Sequence, residues 1–549
     1  MKKNISVKVI LLLAFCFSLL PAKSQNDFEI AKNVDIFVSI LKELNSKYAD
    51  EVNPSDLTKV AIDAMLNSLD PYTIYYPESQ IEDFRLMTTG QYGGIGAIIQ
   101  QHETGIVISE PYEDSPAALA GLRAGDRIIK INNQSIAGKS SDEVSTFLKG
   151  EPGTSLTIEI ERPGSDKNQT FNVARKEIKL PNIPYYGMLD NHIGYIKLDQ
   201  FTENAGNEVK AAFQKLKEEG MNYLILDLRN NGGGLLHEAV NIMNIFVDQN
   251  TLIASTKGKI KEQSNSFRTR MPVLDKSIPV VVLVNEYSAS ASEIVAGAFQ
   301  DLDRGIVVGK KTFGKGLVQN VVPLSYNSSL KITVSKYYIP SGRCVQNVEY
   351  FVKDSLTPTA EIPDSLAISY KTKNGRIVYD KGGIYPDIIT KDTMISNLLI
   401  TLVMNNHIFD FANQYYHTHS TISPAHQFVV DNNIYKEFTD FLEGKEYGYT
   451  TDSEHILADL KKSAQEEHLF ETIEPLYNEI KAKIKNEKTN ELQKFKEEIA
   501  SYLASEIATR YYYQKGRIIS LLASDLDVIE AKKILRDSSK YKSILSNKK

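Results

Sequence analysis

Three serines at alternate positions, separated only by alanine, are the first candidates for chemistry. They are Ser288, Ser290 and Ser292. They follow the continuous apolar run 280–284, a predicted buried strand, and they open a predicted helix. A hydroxyl at a helix N-terminus lies where an alkoxide is stabilised. The structural alternative is helix capping, because Ser290 and Glu293 have the spacing of a capping box. Serine is inert at its own pKa, so nucleophilic chemistry would also require a base.

A lysine between two glycines is the candidate base. Lys315 lies at the start of a predicted strand, and a lysine that enters a dry pocket can lose its proton and act as a general base. Gln319 follows four residues later on the same predicted strand face, so its amide oxygen could orient the amine. The segment differs from a phosphate-binding P-loop because Gly316 stands where a hydroxyl would bind magnesium. We therefore exclude a nucleotide site.

Other bases and metal sites have weaker support. His237 beside the glycine turn is the alternative base, in a Ser–His arrangement. Asn241 stands where a zinc-protease helix would need its second histidine. Cys16 and Cys344 are the only cysteines, too few for a disulfide framework or a multi-thiolate metal site. We expect no metal and no cofactor.

The segment 226–234, with the sequence LDLRNNGGG, leads from a predicted buried strand through glycines into a helix. Glycine permits unusual backbone dihedrals and close substrate approach. Free N–H groups at the start of a helix suit a developing anion. The alternative is a strand–helix connection that binds nothing.

Composition and periodicity divide the 549-residue chain into several regions and exclude two broad classes. Charged residues make up 24% and apolar residues 42%, which excludes a mostly disordered or fibrous chain. The net charge of −6, with no basic stripe, argues against a nucleic-acid partner. We predict a signal peptide at 1–24, a helical N-terminal region at 25–88, a strand-rich domain at 89–177, an α/β core at 178–395 and a helical C-terminal domain at 396–549.

Within the predicted α/β core, continuous apolar strands alternate with helices, which predicts a mainly parallel buried sheet. A polar, proline-containing insertion at 345–382 interrupts this core. In the N-terminal region, Ser55 is predicted to cap the second helix after Asn53-Pro54.

The N-terminus predicts export. Lys2, Lys3 and Lys8 precede the apolar run 10–20, and small residues at Ala22 and Ser24 fit cleavage before Gln25. The run is shorter than the about 20 residues of a membrane span. Lipidation at Cys16 and an uncleaved anchor are the alternatives. Cleavage would change the formal net charge from −6 to −10, because four lysines and no acid are lost. The periplasm contains no ATP, so a reaction there must be thermodynamically favourable without it. Hydrolysis of a peptide bond meets this requirement.

Five segments together resemble the C-terminal processing peptidases, also called tail-specific proteases. Residues 288–294 and 312–319 are similar to the two active-site signatures of that family, and 226–234 resembles its oxyanion segment. Residues 93–96 and 115–126 look like parts of its PDZ domain. The resemblance implies a multidomain α/β fold, in which a crotonase-like α/β protease core carries an inserted PDZ domain between helical N- and C-terminal regions.

The resemblance also implies roles for individual residues. Ser290 would be the nucleophile, Lys315 the general base and then acid, and Gln319 the residue that holds the lysine. The oxyanion hole would consist of backbone N–H groups of Gly233 and Ala291. The loop of Gly94, Ile95 and Gly96 would bind a substrate's terminal carboxylate, while the tail adds as a strand to the sheet edge. Glu293 stays open as a cap or as part of the site.

The chain departs from the family pattern in two places. Cys344 stands where relatives usually have serine, and about forty residues are inserted before 383–387, which resembles the closing element. We nevertheless expect an exported serine endopeptidase that binds unstructured C-terminal tails and forms an acyl-enzyme. Proximity to the membrane periphery and the oligomeric state stay open. A catalytically silent PDZ scaffold and a crotonase-like acyl-CoA enzyme are the alternatives.

Overall fold

The computed structural model describes residues 23–546, apart from 166, 351–359, 362–366, 381 and 392–394. The predicted signal peptide therefore lies outside the described residues except for its last two positions. The chain divides into two compact units, of which the first ends at residue 75 and also includes 330–332. No helix in the described part of the chain is long and apolar enough to cross a membrane.

Two helices and a short strand begin the described chain: α1 Lys23–Lys47, α2 Pro54–Asn67 and β1 Ile74–Tyr76. Both helices lie largely in the region 25–88 that was expected to be helical. The predicted cap of α2 was wrong. Asn53 caps the helix by accepting a hydrogen bond from the Ser55 N–H at 3.0 Å, because Pro54 occupies the first helical position, where a missing N–H costs nothing.

The strand-rich region is an antiparallel sheet with two helices. After α3 (Ile81–Thr89), its elements are β2 Gln91–Gly94, β3 Ala97–His102, β4 Gly105–Pro111, α4 Pro116–Ala120, β5 Arg127–Ile131, β6 Gln134–Ser135, α5 Ser141–Leu148, β7 Ser155–Glu161, β8 Gln169–Ala174 and β9 Lys176–Lys179. The sheet order is β3-β4-β5-β7-β8, and β2 pairs separately with β9. Ile108, Val144 and Ile158 are fully buried in the core between sheet and helices.

The α/β core is built from strands and helices in alternation. Its elements are β10 Tyr185–Met188, β11 Ile193–Lys197, α6 Ala205–Glu218, β12 Tyr223–Asp227, α7 Leu236–Met243, β13 Leu252–Gly258, β14 Ser266–Arg268, β15 Val280–Val284, α8 Ala291–Asp301, β16 Ile306–Gly309, β17 Leu317–Pro323 and β18 Ser329–Tyr338. Strands β11, β12, β15 and β16 run parallel, as predicted, and β10 is antiparallel at one edge. Every residue of β15 is buried, which explains its continuous apolar sequence.

The remaining core strands are short. They are β19 Val348–Glu349, β20 Ala360–Glu361, β21 Ser369–Lys371, β22 Ile377–Tyr379 and β23 Ile388–Ile389. The last of them adds to β16 in parallel and completes a six-stranded sheet. Much of the predicted insertion at 345–382 lies outside the described residues. Just before it, Arg343 is 1% exposed and forms an ion pair with Asp301 at 2.8 Å, which ties the strand region to the end of α8.

The C-terminal region is helical, and its helices belong to two different cores. They are α9 Asn397–Met404, α10 His407–Thr418, α11 Asn432–Phe441, α12 Asp452–Glu466, α13 Phe470–Thr489, α14 Glu491–Lys494, α15 Lys496–Leu522, α16 Leu526–Arg536 and α17 Ser538–Leu545. Phe411, Phe438 and Leu503 share one core. Helices α16 and α17 instead pack on the α/β sheet, where Val528 and Ile534 are buried against its strands. The predicted fold class, a multidomain α/β protein with helical terminal regions, is confirmed.

Candidate active site

Ser290 occupies a strained turn between a buried strand and a helix. Strand β15 ends at Val284 and α8 begins at Ala291, so Ser290 is the N-cap residue of α8. Its φ of 56° and ψ of −113° are unfavourable for a residue with a Cβ. In α/β-hydrolases, a strained strand-to-helix turn of this kind presents a serine hydroxyl outward.

The three serines of the motif have different surroundings. Ser288 is fully buried and donates its hydroxyl to the Leu228 carbonyl at 2.8 Å. Ser292 is also fully buried and donates to the Asn231 carbonyl at 2.9 Å. Ser290 is only half-buried. The outer two serines therefore fasten the helix start to the glycine turn, and the middle one remains as the accessible hydroxyl.

Glu293 connects the serine turn to the lysine turn. Its buried Oε2 accepts the backbone N–H of Ser290 at 2.8 Å and that of Lys315 at 2.9 Å. Its Oε1 accepts the Gly314 N–H at 2.8 Å and the Thr312 hydroxyl at 2.6 Å. Burial raises the pKa of this carboxyl, while the four donated hydrogen bonds act to lower it. Glu293 thus caps the helix and also belongs to the site, a role that the capping-box spacing alone could not reveal.

Tyr337 and Gln346 fasten the same two turns from the other side. The Tyr337 hydroxyl donates to the Ser290 carbonyl at 3.1 Å, while the Tyr337 N–H donates to the Gly316 carbonyl at 2.9 Å. The Gln346 side-chain oxygen accepts the Gly316 N–H at 2.6 Å. Sequence reasoning missed both roles. For Gln346 the available signal was its position two residues after Cys344, in a segment that was compared with the family pattern.

The structure brings the Lys315 and Ser290 backbones onto one carboxylate oxygen, and the Lys315 side chain is half-buried. Gln319 lies in β17 and donates its side-chain amide to the Thr333 hydroxyl at 3.1 Å. Because this bond fixes the amide, the orientation of its oxygen is fixed as well. Cys344 packs against the same turn, where its Sγ would lie 3.1 Å from a Cβ added at Gly316.

The glycine turn approaches the nucleophile closely. A Cβ added at Gly233 would lie 2.8 Å from the Ser290 Cβ and 2.9 Å from the Ala291 nitrogen, so a larger residue would not fit. Its φ of +97° also favours glycine. The Gly233 N–H donates to the side-chain oxygen of Asn231 at 2.9 Å. The two predicted oxyanion residues, Gly233 and Ala291, therefore lie close together in space. The N–H group of Gly233 already donates to a neutral amide oxygen.

The alternative base, His237, lies at the surface of the core beside a buried glutamate. His237 is 62% exposed at the start of α7 and lies beside Glu238, at 3.5 Å. Within the described ranges, no group of three or more His, Cys, Asp or Glu side chains could hold a metal ion.

The predicted tail-binding loop is a buried turn that leads into β3. Gly94, Ile95 and Gly96 are all buried, and the Ile95 carbonyl accepts the Ala117 N–H at 2.9 Å. At Gly96 the φ is +72°, and an added Cβ would lie 2.6 Å from the Ser115 Cβ. The turn therefore holds the start of β3 against the α4 region, beside the strand edge to which a tail would add.

We expect the Tyr337→Phe substitution to lower kcat about tenfold with little change in KM. The hydroxyl holds the carbonyl of a strained residue, and loss of a buried hydrogen bond is worth about 1 kcal/mol before strain is counted. Steady-state cleavage of a tailed substrate measures this effect. Tyr338→Phe on the same strand is the matched control, because that ring instead packs under the Lys257 ammonium at 4.4 Å. An unchanged kcat in Tyr337→Phe would contradict the assigned role.

Comparison with known proteins identifies the α/β core, the strand-rich region and the C-terminal helices. The chain matches the profile of peptidase family S41 over residues 192–362 and that of a PDZ domain over 107–162. Residues 398–535 match a profile described as "Probable PDZ-protease, C-terminal helical domain". The fold and site thus define a PDZ-containing peptidase.

Individual relatives narrow the class. The carboxy-terminal-processing protease of Bartonella bacilliformis is 34% identical over 352 residues, which is 63% of this chain and 79% of the relative. A probable CtpA-like serine protease of Staphylococcus aureus is 34% identical over 354 residues, 64% of this chain and 70% of the relative. The photosystem II D1 C-terminal processing protease structure has 28% sequence identity over 65% of this chain and 87% of that chain, with a TM-score of 0.35. The chain belongs to the carboxy-terminal-processing protease family of S41 peptidases.

Proposed function

We propose that the protein is an exported serine endopeptidase that captures C-terminal tails and cleaves peptide bonds with a Ser290–Lys315 pair. The observation that carries this proposal is the shared Glu293 oxygen, which binds the backbones of both residues within 2.9 Å. By binding both backbones, the Glu293 carboxylate keeps the serine turn and the lysine turn close together. A reaction between the Ser290 and Lys315 side chains requires that proximity.

In the proposed reaction, Ser290 Oγ attacks the substrate carbonyl while neutral Lys315 Nζ takes the hydroxyl proton. Backbone N–H groups of Ala291 and Gly233 bind the developing oxyanion. Lys315 then gives its proton to the leaving amine, and the acyl-enzyme forms. Water, deprotonated by Lys315, hydrolyses the ester and restores Ser290. Gln319 holds the lysine through its side-chain oxygen.

The proposed substrates are proteins with unstructured C-terminal tails. The Gly94–Gly96 turn leads into β3, which pairs with β4 along one edge and, among the described strands, has no partner along its second edge. Helix α5 contacts β3. A tail would add along that second edge, with its carboxylate on the backbone N–H groups of the turn. The family of carboxy-terminal-processing proteases and its PDZ profile support this choice of substrate.

Amidation of the tail tests this recognition. We expect a substrate with an amidated C-terminus to have a KM raised at least about tenfold and a nearly unchanged kcat, because a charge-assisted contact made only in binding is lost. The matched control is the same peptide with a free C-terminus and an amidated internal aspartate. Equal KM values for the free and amidated tails would contradict the PDZ assignment.

A fluorophosphonate label distinguishes the proposed enzyme from a silent PDZ scaffold. An activated serine reacts covalently with this probe, so we expect one label on Ser290 of the wild-type protein and none on Ser290→Ala. Peptide mapping locates the labelled residue. Tail binding without any label would instead support the scaffold.

Export to the periplasm, with cleavage before Gln25, is proposed from the basic, apolar and small-residue order of the first 24 positions. N-terminal sequencing of the protein from a fractionated bacterial host would test it. A mature N-terminus at Gln25 in the periplasmic fraction is the expected result. Retention of Met1 would overturn it.

A further inference from the structure

Arg229 connects the glycine turn of the active site to the C-terminal helices. Arg229 lies two residues after the end of strand β12 and directly before the turn that runs from Asn230 to Gly234. Its Nη1 donates to Asp525 at 3.0 Å and to Asp527 at 2.9 Å, residues almost 300 positions later in the chain. These two aspartates form the first turn of α16, where Asp525 is the helix cap.

The guanidinium is enclosed by carboxylates from two regions. From the core, Asp227 accepts from Arg229 Nε at 3.0 Å and from Nη2 at 2.5 Å. Asp227 is fully buried, Asp525 and Asp527 are about four-fifths buried, and the Arg229 side chain is only 16% exposed. Charge-assisted hydrogen bonds of this kind are the strongest in proteins, and a buried guanidinium fork has a fixed geometry.

The turn that follows Arg229 needs external support. Asn230 has a φ of +61°, and Gly233 and Gly234 have values of +97° and +146°. Further bonds hold the turn from other directions: Lys197 Nζ donates to the Arg229 carbonyl at 2.6 Å, and the Asn230 N–H donates to Asn285 at 2.9 Å. The Arg229 backbone N–H and its Nε both donate to Asp227 Oδ1, at 2.9 and 3.0 Å, so a shift of the guanidinium would disturb the start of a turn whose far end lies against Ser290.

We propose that the C-terminal helical region positions the oxyanion turn through the Arg229 ion pairs with Asp525 and Asp527. This inference rests on the proposed function, because it assigns the turn its part in catalysis. Asp525 and Asp527 are positioning residues, since they act through Arg229. On this basis the C-terminal helices complete the active site in addition to covering the sheet.

The double substitution Asp525→Ser/Asp527→Ser removes both contacts, and we expect it to leave the fold intact. Serine still caps α16, but its side chain is too short to reach the guanidinium. Arg229 keeps Asp227, so no buried charge is left unpaired. We expect kcat to fall about 10- to 100-fold with KM changed less than about twofold, because misplacement by about 1 Å can cost 10²-fold in rate. Amide hydrogen exchange of residues 230–234 should become faster.

Arg536→Gln is the matched control. Arg536 ends the same helix α16 and pairs with Asp190 of the core at 2.5 Å, so this variant removes an ion pair between the same two regions far from the turn. We expect wild-type kcat and wild-type exchange at 230–234. The conservative double variant Asp525→Glu/Asp527→Glu, which keeps both charges, should recover more activity than the serine variant.

The outcomes separate this inference from the proposed function. Wild-type kcat and exchange in the Asp525→Ser/Asp527→Ser variant would overturn the inference while leaving the protease intact. An equal loss of kcat in Arg536→Gln would overturn it too, because the effect would then be general destabilisation. If the wild-type protein showed neither cleavage nor label, while the Asp525→Ser/Asp527→Ser variant still exchanged faster than wild type at 230–234, the structural coupling would be supported and the protease rejected.

Discussion

Ser290→Ala should abolish cleavage of a tailed substrate, with a fall in kcat of at least about 10⁴-fold and an unchanged fold. The reason is that Ser290 is the accessible hydroxyl of the motif, whereas its two neighbours are buried in bonds to the glycine turn. Loss of a covalent nucleophile removes the whole reaction path and leaves only residual catalysis from binding and the oxyanion hole. Cleavage assays with purified protein and a circular dichroism spectrum measure the two expectations.

Lys315→Ala should be as inactive as Ser290→Ala, because without a base the hydroxyl keeps its proton. Lys315→Arg is the sharper variant, since arginine keeps the positive charge but cannot give up its proton at neutral pH. Its inactivity would show that the lysine is needed as a base and not only as a cation. Lys311→Ala serves as the control, because that ammonium lies 5.2 Å from the Tyr385 ring. Wild-type rates in Ser290→Ala or in either Lys315 variant would refute the proposed pair.

Glu293→Gln should lower kcat about 100-fold with a smaller effect on KM. Glutamine keeps the volume of glutamate but has one accepting oxygen, so its NH₂ group must face one of the two pairs of donors. Either Ser290 and Lys315 or Gly314 and Thr312 then lose their shared acceptor, and a buried unsatisfied donor costs about 1–3 kcal/mol. Steady-state kinetics and thermal unfolding would be measured together, and we expect a lower unfolding midpoint as well.

Glu238→Gln is the control for that experiment. Glu238 is another buried carboxylate at the start of a helix, and it accepts the Gly206 N–H at 2.7 Å. We expect this variant to lose stability to a similar extent but to keep its kcat. If both variants lost kcat equally, the special role of Glu293 in joining the two turns would be wrong.

Local sequence features predicted the elements well where burial and turns define them. Strand 280–284 has the predicted bounds, because it is an apolar run closed by Pro279 on one side and Asn285 on the other. The helix 291–301 and its preceding serines were also visible in the sequence. Signals of this kind act over a few residues, and sequence patterns report them directly.

Interactions between distant segments were not predictable in the same way. The position of α16 and α17 on the α/β sheet depends on the fit of their side chains to that sheet. An amphipathic sequence predicts that one face of a helix is buried, but it does not predict which surface buries it. The same holds for the hydrogen bond from the Tyr337 hydroxyl to the Ser290 carbonyl, because the two residues are 47 positions apart in the chain. The roles of Ser290, Lys315, Gln319, Gly233 and Ala291 were implied by resemblance and remain predictions. The structure supplies the geometry in which they can be tested.

The bond between Gly233 and Asn231 has a consequence for selectivity. The Gly233 N–H is already occupied by a neutral amide oxygen at 2.9 Å. On the proposed mechanism, an unreacted peptide carbonyl that bound the Gly233 N–H would only replace the amide oxygen of Asn231 with another amide oxygen of equal strength. This exchange would not stabilise the complex. An alkoxide is a much stronger acceptor, so it would displace Asn231. The turn would then discriminate by charge, because its donor would stay bound to Asn231 while a peptide is merely bound and would be released to a carbonyl that has begun to react.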